Sequence, residues 1–187
     1  MRVISGTAKG RRLLAVPGDR TRPITDRVKE ALFDIIGADV VDSAWWDVFA
    51  GTGAVGIEAL SRGATFARLT DLHRAPIETI AANLARAGLA ARAEVRRADA
   101  FGLLSSPADR QFDYVYIAPP QYQELWHRAL HALDSNPGWL AADAWVIVQL
   151  DPKEHQARGL AQLSEIDRRR YGTTLLAFYS FAKLQPL

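Results

Sequence analysis

A mixed α/β fold built on a mainly parallel sheet is what this chain predicts, and three observations predict it. Strand-like apolar runs alternate with helix-period segments from Trp45 to Leu150. Between the first strand and first helix of that series, Gly51, Gly53 and Gly56 have the spacing G-x-G-x-x-G. Glycines so placed permit a tight turn, let a ligand approach the backbone and let the helix pack closely on the strand. Acidic residues Asp47, Asp71 and Asp99 stand at the ends of three successive strands. In an open α/β sheet ligands bind beyond the carboxyl ends of the strands, so the three acids are expected to share one crevice.

The elements follow in order. Val3 to Val16, with Gly6, Gly10 and basic residues between apolar ends, reads as a hairpin or extended arm. Thr25 is placed to cap a helix whose apolar face is Val28, Ala31, Leu32, Ile35 and Ile36. Trp45 to Phe49 is strand one, Ala54 to Arg62 its helix and Thr65 to Asp71 strand two. Pro76 suits the first turn of a helix that Gly88 closes after Ala87. Arg92 to Arg97 and Phe112 to Ile117 are strands three and four, Tyr122 to Leu133 a helix and Ala144 to Leu150 strand five. Leu163 to Arg168 and Thr174 to Phe181 read as an antiparallel C-terminal hairpin.

Composition narrows the function classes. With 187 residues and 49% hydrophobic content the chain suffices for one well-buried core. No uninterrupted apolar run reaches the roughly 18 residues of a membrane span, and the start lacks a signal-peptide core. The absence of cysteine excludes disulfides, thiolate zinc sites and cysteine nucleophiles and is compatible with a cytoplasmic setting. His127 and His131, four apart, read as one helix face, and no metal site is expected. The formal charge of +2 is unevenly spread: residues 1–30 hold eight basic and three acidic side chains, a local +5, which leaves −3 on the rest. Lys9, Arg11, Arg12, Arg20, Arg22, Arg27 and Lys29 thus form a basic stretch able to neutralise phosphates, or simply a solvated face.

Asp47 refines the glycine loop. A carboxylate just before the turn offers nothing to a pyrophosphate but would attract a cationic group, and S-adenosylmethionine carries an α-amino group and a sulfonium. Asp71, twenty residues after Gly51, suits ribose hydroxyls, and Asp99 suits the adenine amino group. A nicotinamide-dependent oxidoreductase also uses G-x-G-x-x-G with a following acid, but that reading leaves Asp47 and the basic leader unexplained.

These stretches taken together, DVFAGTGAVGIEALSRGA, the acidic strand ends, the Pro-Pro turn in YVYIAPPQY, and the leader RVISGTAKGRRL followed by TRPITDRVKEALFDII, closely resemble the RsmD family of bacterial 16S rRNA guanine-N2 methyltransferases over about residues 2–181. The resemblance implies a Rossmann-like class I methyltransferase fold: a seven-stranded, mostly parallel sheet with an antiparallel C-terminal hairpin, plus a small N-terminal hairpin and helix. Residues 1–40 would be a basic cover and 41–187 the S-adenosylmethionine-binding domain. It further implies that Asp47, Gly51 and Gly53 hold the methionine end of the cofactor, Asp71 its ribose and Asp99 with Ala100 its adenine, with Phe49, Ala50, Thr52 and Leu72 also in the cofactor site. Thr25, Asp26 and Arg27 would lie close to the same pocket, and Lys9, Arg11, Arg12, Arg20, Arg22 and Lys29 would contact RNA. The implied partner is 16S rRNA, within an assembling small subunit, met by a monomer.

In similar enzymes a D/N-P-P-Y/F turn orients the target amine and stacks an aromatic ring on the flipped base. Here the turn is Ala118, Pro119, Pro120, Gln121 and Tyr122. Ala118 replaces the acid or amide, which leaves the Pro119 carbonyl as acceptor, and Gln121 occupies the aromatic position, with Tyr122 one place later. Either Tyr122 takes the stacking role or Gln121 bonds to the base. The loss at position 118 also admits a paralogue that binds S-adenosylmethionine and RNA with weakened transfer.

Overall fold

Thr25 carries out the capping its position predicts: its Oγ1 accepts a hydrogen bond from the Val28 N–H at 3.3 Å, and helix α1 spans Asp26–Ile36. The computed structural model describes residues 1–18, 24–157 and 159–181. They fall into two compact units, Met1–Ala100 and Phe101–Leu187.

In the first unit, β1 (Ala44–Asp47), β2 (Phe66–Asp71) and β3 (Ala93–Arg97) run parallel, β2 pairing with both others. Helices α2 (Ala54–Arg62) and α3 (Arg74–Ala87) provide the crossovers. Gly63 and Gly88 end these helices in the left-handed conformation. The core sits around Trp45 and Trp46, both fully buried; Phe33 of α1 stacks on Trp45 with ring centroids 5.2 Å apart. The Trp46 indole N–H donates to Thr70 Oγ1 at 2.9 Å, so the large ring is buried with its polar atom satisfied.

The N-terminal residues are folded onto this unit. The arm closes on itself through the Arg2–Arg12 bridge and through Val3 N–H to Arg11 carbonyl at 2.9 Å. It is then fastened to α2: Ile4 and Ser5 N–H donate to the Glu58 carboxylate at 2.8 and 3.0 Å, and Ala8 N–H to Ser61 Oγ at 2.9 Å. Gly6 is the tightest point, with φ +80° and a position where a Cβ would lie 1.8 Å from the Ser61 carbonyl oxygen. Gly6→Ala must therefore lift the arm off α2. It is expected to destabilise the protein by about 2–4 kcal/mol, read as a lower urea midpoint with an unchanged cooperative transition.

The second unit takes over from α4 (Ala100–Leu104), which begins on the last residue of the first. Strands β4 (Phe112–Ile117) and β5 (Leu140–Leu150) are parallel, and β7 (Thr174–Phe181) is antiparallel to both β5 and β6 (Leu163–Tyr171). Helix α5 (Leu125–Ser135) carries a buried Asp134 whose carboxylate accepts the N–H groups of Ala161, Gln162 and Leu163 at 2.7–2.8 Å, which anchors the entry into β6. The seven strands form one mostly parallel sheet in the order β3-β2-β1-β4-β5-β7-β6, with the antiparallel C-terminal hairpin expected.

Several boundaries differ from the sequence reading: β1 spans Ala44–Asp47 instead of Trp45–Phe49, β2 and β3 begin one residue later, at Phe66 and Ala93, and α5 ends at Ser135 instead of Leu133. Strand β5 begins at Leu140 instead of Ala144, and β6 runs to Tyr171 instead of Arg168. The helix expected from Tyr122 starts at Leu125, because Tyr122 and Glu124 adopt φ +62° and +52°, which no right-handed helix admits.

Candidate functional site

The glycine loop and the strand-end acids lie at the carboxyl edge of the first unit's sheet. Parallel pairing sets the ends of β1, β2 and β3 along one edge: Asp47 closes β1, Asp71 closes β2, and Asp99 follows β3 by two residues. The loop between β1 and α2 is held at each turn. Ala50 N–H donates to the Thr70 carbonyl at 2.9 Å, Gly51 N–H to Asp71 Oδ2 at 3.1 Å and Gly53 N–H to the Ala50 carbonyl at 2.7 Å. Gly53 has φ +77°, and a Cβ there would meet Leu69 Cδ2 at 2.9 Å, so backbone conformation and packing both demand glycine. Gly56 likewise faces Leu69 at 2.9 Å, the close helix-to-strand approach its spacing implies.

Asp47 is the chemically unusual group. It is 1% exposed; its Oδ2 accepts the Gly56 N–H at 3.4 Å, and its buried Oδ1 has no hydrogen-bond partner among the described residues. Burial, together with the charge of Asp71 and against the Gly56 hydrogen bond, pushes its carboxyl up to about 7. A buried carboxylate with an unsatisfied oxygen at the mouth of a glycine loop fits a cationic ligand group such as an α-amino group. Asp71 already accepts from Gly51 and from His73 N–H at 3.0 Å, so it links the loop to the end of β2. Leu72 beside it is 54% exposed and Asp99 is exposed, while Ala50, Thr52 and Ala100 are buried and Phe49 is half-buried.

Sequence reasoning missed several residues that hold this region together. Asn83 of α3, fully buried, donates from Nδ2 to the carbonyls of Thr52 and Leu14 at 2.9 and 3.1 Å and accepts from Leu14 N–H at 2.7 Å. It thereby ties the glycine loop to the arm. Glu58, equally buried, gathers Ile4, Ser5, Arg62 and Lys29. The available signal was a polar residue on an apolar helix face: Asn83 shares its face with Thr79, Ile80 and Leu84.

The expected RNA contacts divide. Lys9, Arg11 and Arg12 are exposed on the arm, whereas Arg20 and Arg22 lie outside the described residues. Lys29 is corrected: its ammonium is fully buried, 3.1 Å from Glu58 and 2.6 Å from the Arg2 carbonyl, so it locks the arm and presents no charge to a phosphate. Thr25 is the helix cap, Asp26 accepts from Arg2 N–H at 3.3 Å and Arg27 is exposed.

The turn after β4 lies in the second unit. Ala118 is half-buried, Pro119 buried, and Pro120, Gln121 and Tyr122 exposed. Tyr122 N–H donates to Glu154 Oε1 at 2.7 Å and its hydroxyl to Asp151 Oδ2 at 2.9 Å. Among the described residues no group of His, Asp or Glu is placed to hold a metal, and no helix is long and apolar enough to cross a membrane.

The mostly parallel seven-stranded sheet in this order, with its antiparallel C-terminal hairpin, is that of a class I methyltransferase, and the class uses S-adenosylmethionine. The family described as conserved hypothetical protein 95 matches residues 1–180. The chain is 38% identical over 181 residues to Bacillus subtilis YlbH, provisionally named an rRNA methyltransferase, covering 96% of this chain and 98% of that protein. It is 36% identical over 149 residues to ribosomal RNA small subunit methyltransferase D of Escherichia coli, covering 80% and 74%. The solved structure of yhhF from Escherichia coli, provisionally titled a methyltransferase, superposes with TM-score 0.83 at 34% identity over 97% of each chain. The chain belongs to this family, the RsmD-type methyltransferases, and the nicotinamide reading is thereby overturned.

Proposed function

We propose that this chain, an S-adenosylmethionine-dependent rRNA methyltransferase, methylates the exocyclic N2 amine of a guanine in 16S rRNA, position 966 in the family's numbering. The observation that carries the target assignment is the β4 turn, where a buried Pro119 is followed by an exposed Tyr122 ring tied down at both its backbone N–H and its hydroxyl. Related names supply the rRNA; the turn supplies a means to present an aromatic amine.

Bound S-adenosylmethionine supplies an electrophilic methyl group on its sulfonium. Asp47 takes the α-amino group with its unpartnered oxygen; Asp71 accepts from ribose hydroxyls while steadying Gly51; Asp99 and Ala100 border the adenine, and Leu72 lines the same cofactor site. Thr25, Asp26 and Arg27 close the pocket from α1. The guanine N2 lone pair is delocalised into the ring, so the protein's task is orientation. The Pro119 carbonyl accepts one N–H, which turns the lone pair toward the methyl carbon. That lone pair receives the methyl group, and the amine releases one proton to water. Residues 1–40 serve as a cover, with Lys9, Arg11, Arg12, Arg20 and Arg22 on the phosphates, and 41–187 as the transferase. The substrate is an assembling small subunit in the cytoplasm, met by a monomer.

Ala118 removes the side-chain acceptor of similar enzymes. With small subunits lacking the modification and labelled cofactor, the parent is expected to methylate guanine N2, and Ala118→Asp to raise kcat by roughly 10- to 100-fold, below the loss typical of a preorganised polar group. Label at another atom refutes the assignment. Cofactor binding without transfer by the parent, with activity only in Ala118→Asp, identifies a binding paralogue instead.

A further inference from the structure

Resting on the reading of the β4 turn as the base-presenting element, we infer that Asp151 and Glu154, in the loop after β5, are positioning residues that make Tyr122 the stacking platform and so compensate for the aromatic missing at position 121.

The sequence alone leaves Tyr122 one place out of register. A shift of one residue ordinarily points a side chain in a different direction, and a helix starting at Tyr122 would fix that direction unfavourably. The structure prevents the helix from starting. Tyr122 adopts φ +62°, uncommon for a bulky residue and sustained only where the surroundings over-determine it. Two carboxylates from a segment about thirty residues later do so. Glu154 Oε1 takes the Tyr122 N–H at 2.7 Å, an N–H that a helical start would have directed elsewhere. Asp151 Oδ2 takes the hydroxyl at 2.9 Å, a charge-assisted bond that fixes the ring's far end.

The loop is itself ordered for this purpose. Asp151 Oδ1 accepts the Lys153 N–H at 2.8 Å, and the Asp151 carbonyl accepts the Glu154 N–H at 2.9 Å, so both carboxylates leave one tight turn. Glu154 sits there although its buried Oε2 has no hydrogen-bond partner among the described residues. Tyr122, held at its backbone N–H by Glu154 and at its hydroxyl by Asp151, remains 68% exposed. A tyrosine fixed at its backbone and at its hydroxyl, and open to solvent over most of its surface, is preorganised for a base: the cost of ordering it is met before the base arrives.

The test uses full-length protein, unmodified small subunits and kinetics for both substrates. Tyr122→Ala deletes the platform and is expected to lower kcat/KM for the subunit by 10- to 100-fold. Tyr122→Phe keeps the ring and deletes only the hydroxyl; Asp151→Ala deletes only its acceptor. Each is expected to cost about 5- to 10-fold, mainly in KM for the subunit, with KM for S-adenosylmethionine and the melting temperature unchanged. The double variant is expected to be no worse than either single one, because both remove the same bond. Glu154→Gln, which still accepts the Tyr122 N–H, is expected to retain activity that Glu154→Ala loses. If Asp151→Ala costs as much in the Tyr122→Phe background as in the parent, Asp151 does not act through Tyr122 and the inference fails. If only Tyr122→Ala has an effect, the ring stacks without its clamp: the inference fails and the function stands. If Tyr122→Ala has no effect, the base-presenting role of this turn fails first.

Discussion

Asp47→Asn is expected to weaken S-adenosylmethionine binding by at least 10- to 100-fold while making the ligand-free protein more stable at pH 8. Both effects have one cause. The carboxyl is buried with one oxygen unpartnered, and its proton is held up to about pH 7 against 3.8 in an unperturbed carboxyl. The folded state therefore keeps a proton that the unfolded chain releases, so ligand-free stability falls as pH rises from about 4 to 7 and stays reduced above that. An amide carries no such ionisation penalty, and by linkage its gain at pH 8 is at most about 4 kcal/mol. Binding has the opposite dependence. A cationic amine needs the ionised carboxylate, and below pH 7 it must displace the proton, so affinity falls toward tenfold per pH unit as the solution is acidified and levels off above 7. Calorimetric titrations from pH 5.5 to 8.5, with thermal melts of the ligand-free proteins, check both. An Asn variant that binds as tightly as the parent with the same pH profile removes Asp47 from the cofactor site.

Glu58→Ala is expected to be the most destabilising substitution on α2, at about 3–5 kcal/mol, the usual effect of leaving one member of a buried ion pair alone. It strands the buried Lys29 ammonium, whose pKa burial already lowers against the pull of Glu58. It also removes the acceptor for Ile4 and Ser5 N–H and the partner of Arg62. The arm then loses its fastening, so proteolysis within residues 1–18 should accelerate before global unfolding. Lys9→Ala, at an exposed position of the same arm, is expected to leave stability within about 0.5 kcal/mol. Denaturant titration with timed proteolysis separates the two. Equal effects from both variants mean that the ion pair does not hold the arm.

Much of the fold was legible because its signals are local. Helix α2, strand β4 and strand β7 have the bounds that periodicity and the glycine turn assign, and Thr25 caps α1 as its residue type suggests. Lys29 was misread because a lysine in a basic stretch resembles surface charge. Its neighbours carried the opposite signal: Val28, Leu32, Phe33 and Ile36 are the buried face of α1, and Lys29 lies on that face with them. Tyr122 was misread because Gln, Tyr and Glu are compatible with a helix start, and only bonds to Asp151 and Glu154 impose another backbone.

By itself the sequence determined the alternation of strands and helices, the glycine loop, the acids at the strand ends and the family to which the turn belongs. These rest on side-chain period and on conformational limits that act over a few residues. The tertiary structure decided which charges are buried, which oxygen of Asp47 is left without a partner, and how the arm and the β4 turn are fastened. Those outcomes depend on desolvation and, for the arm and the β4 turn, on partners 24 to 69 residues away, a separation that no local pattern encodes.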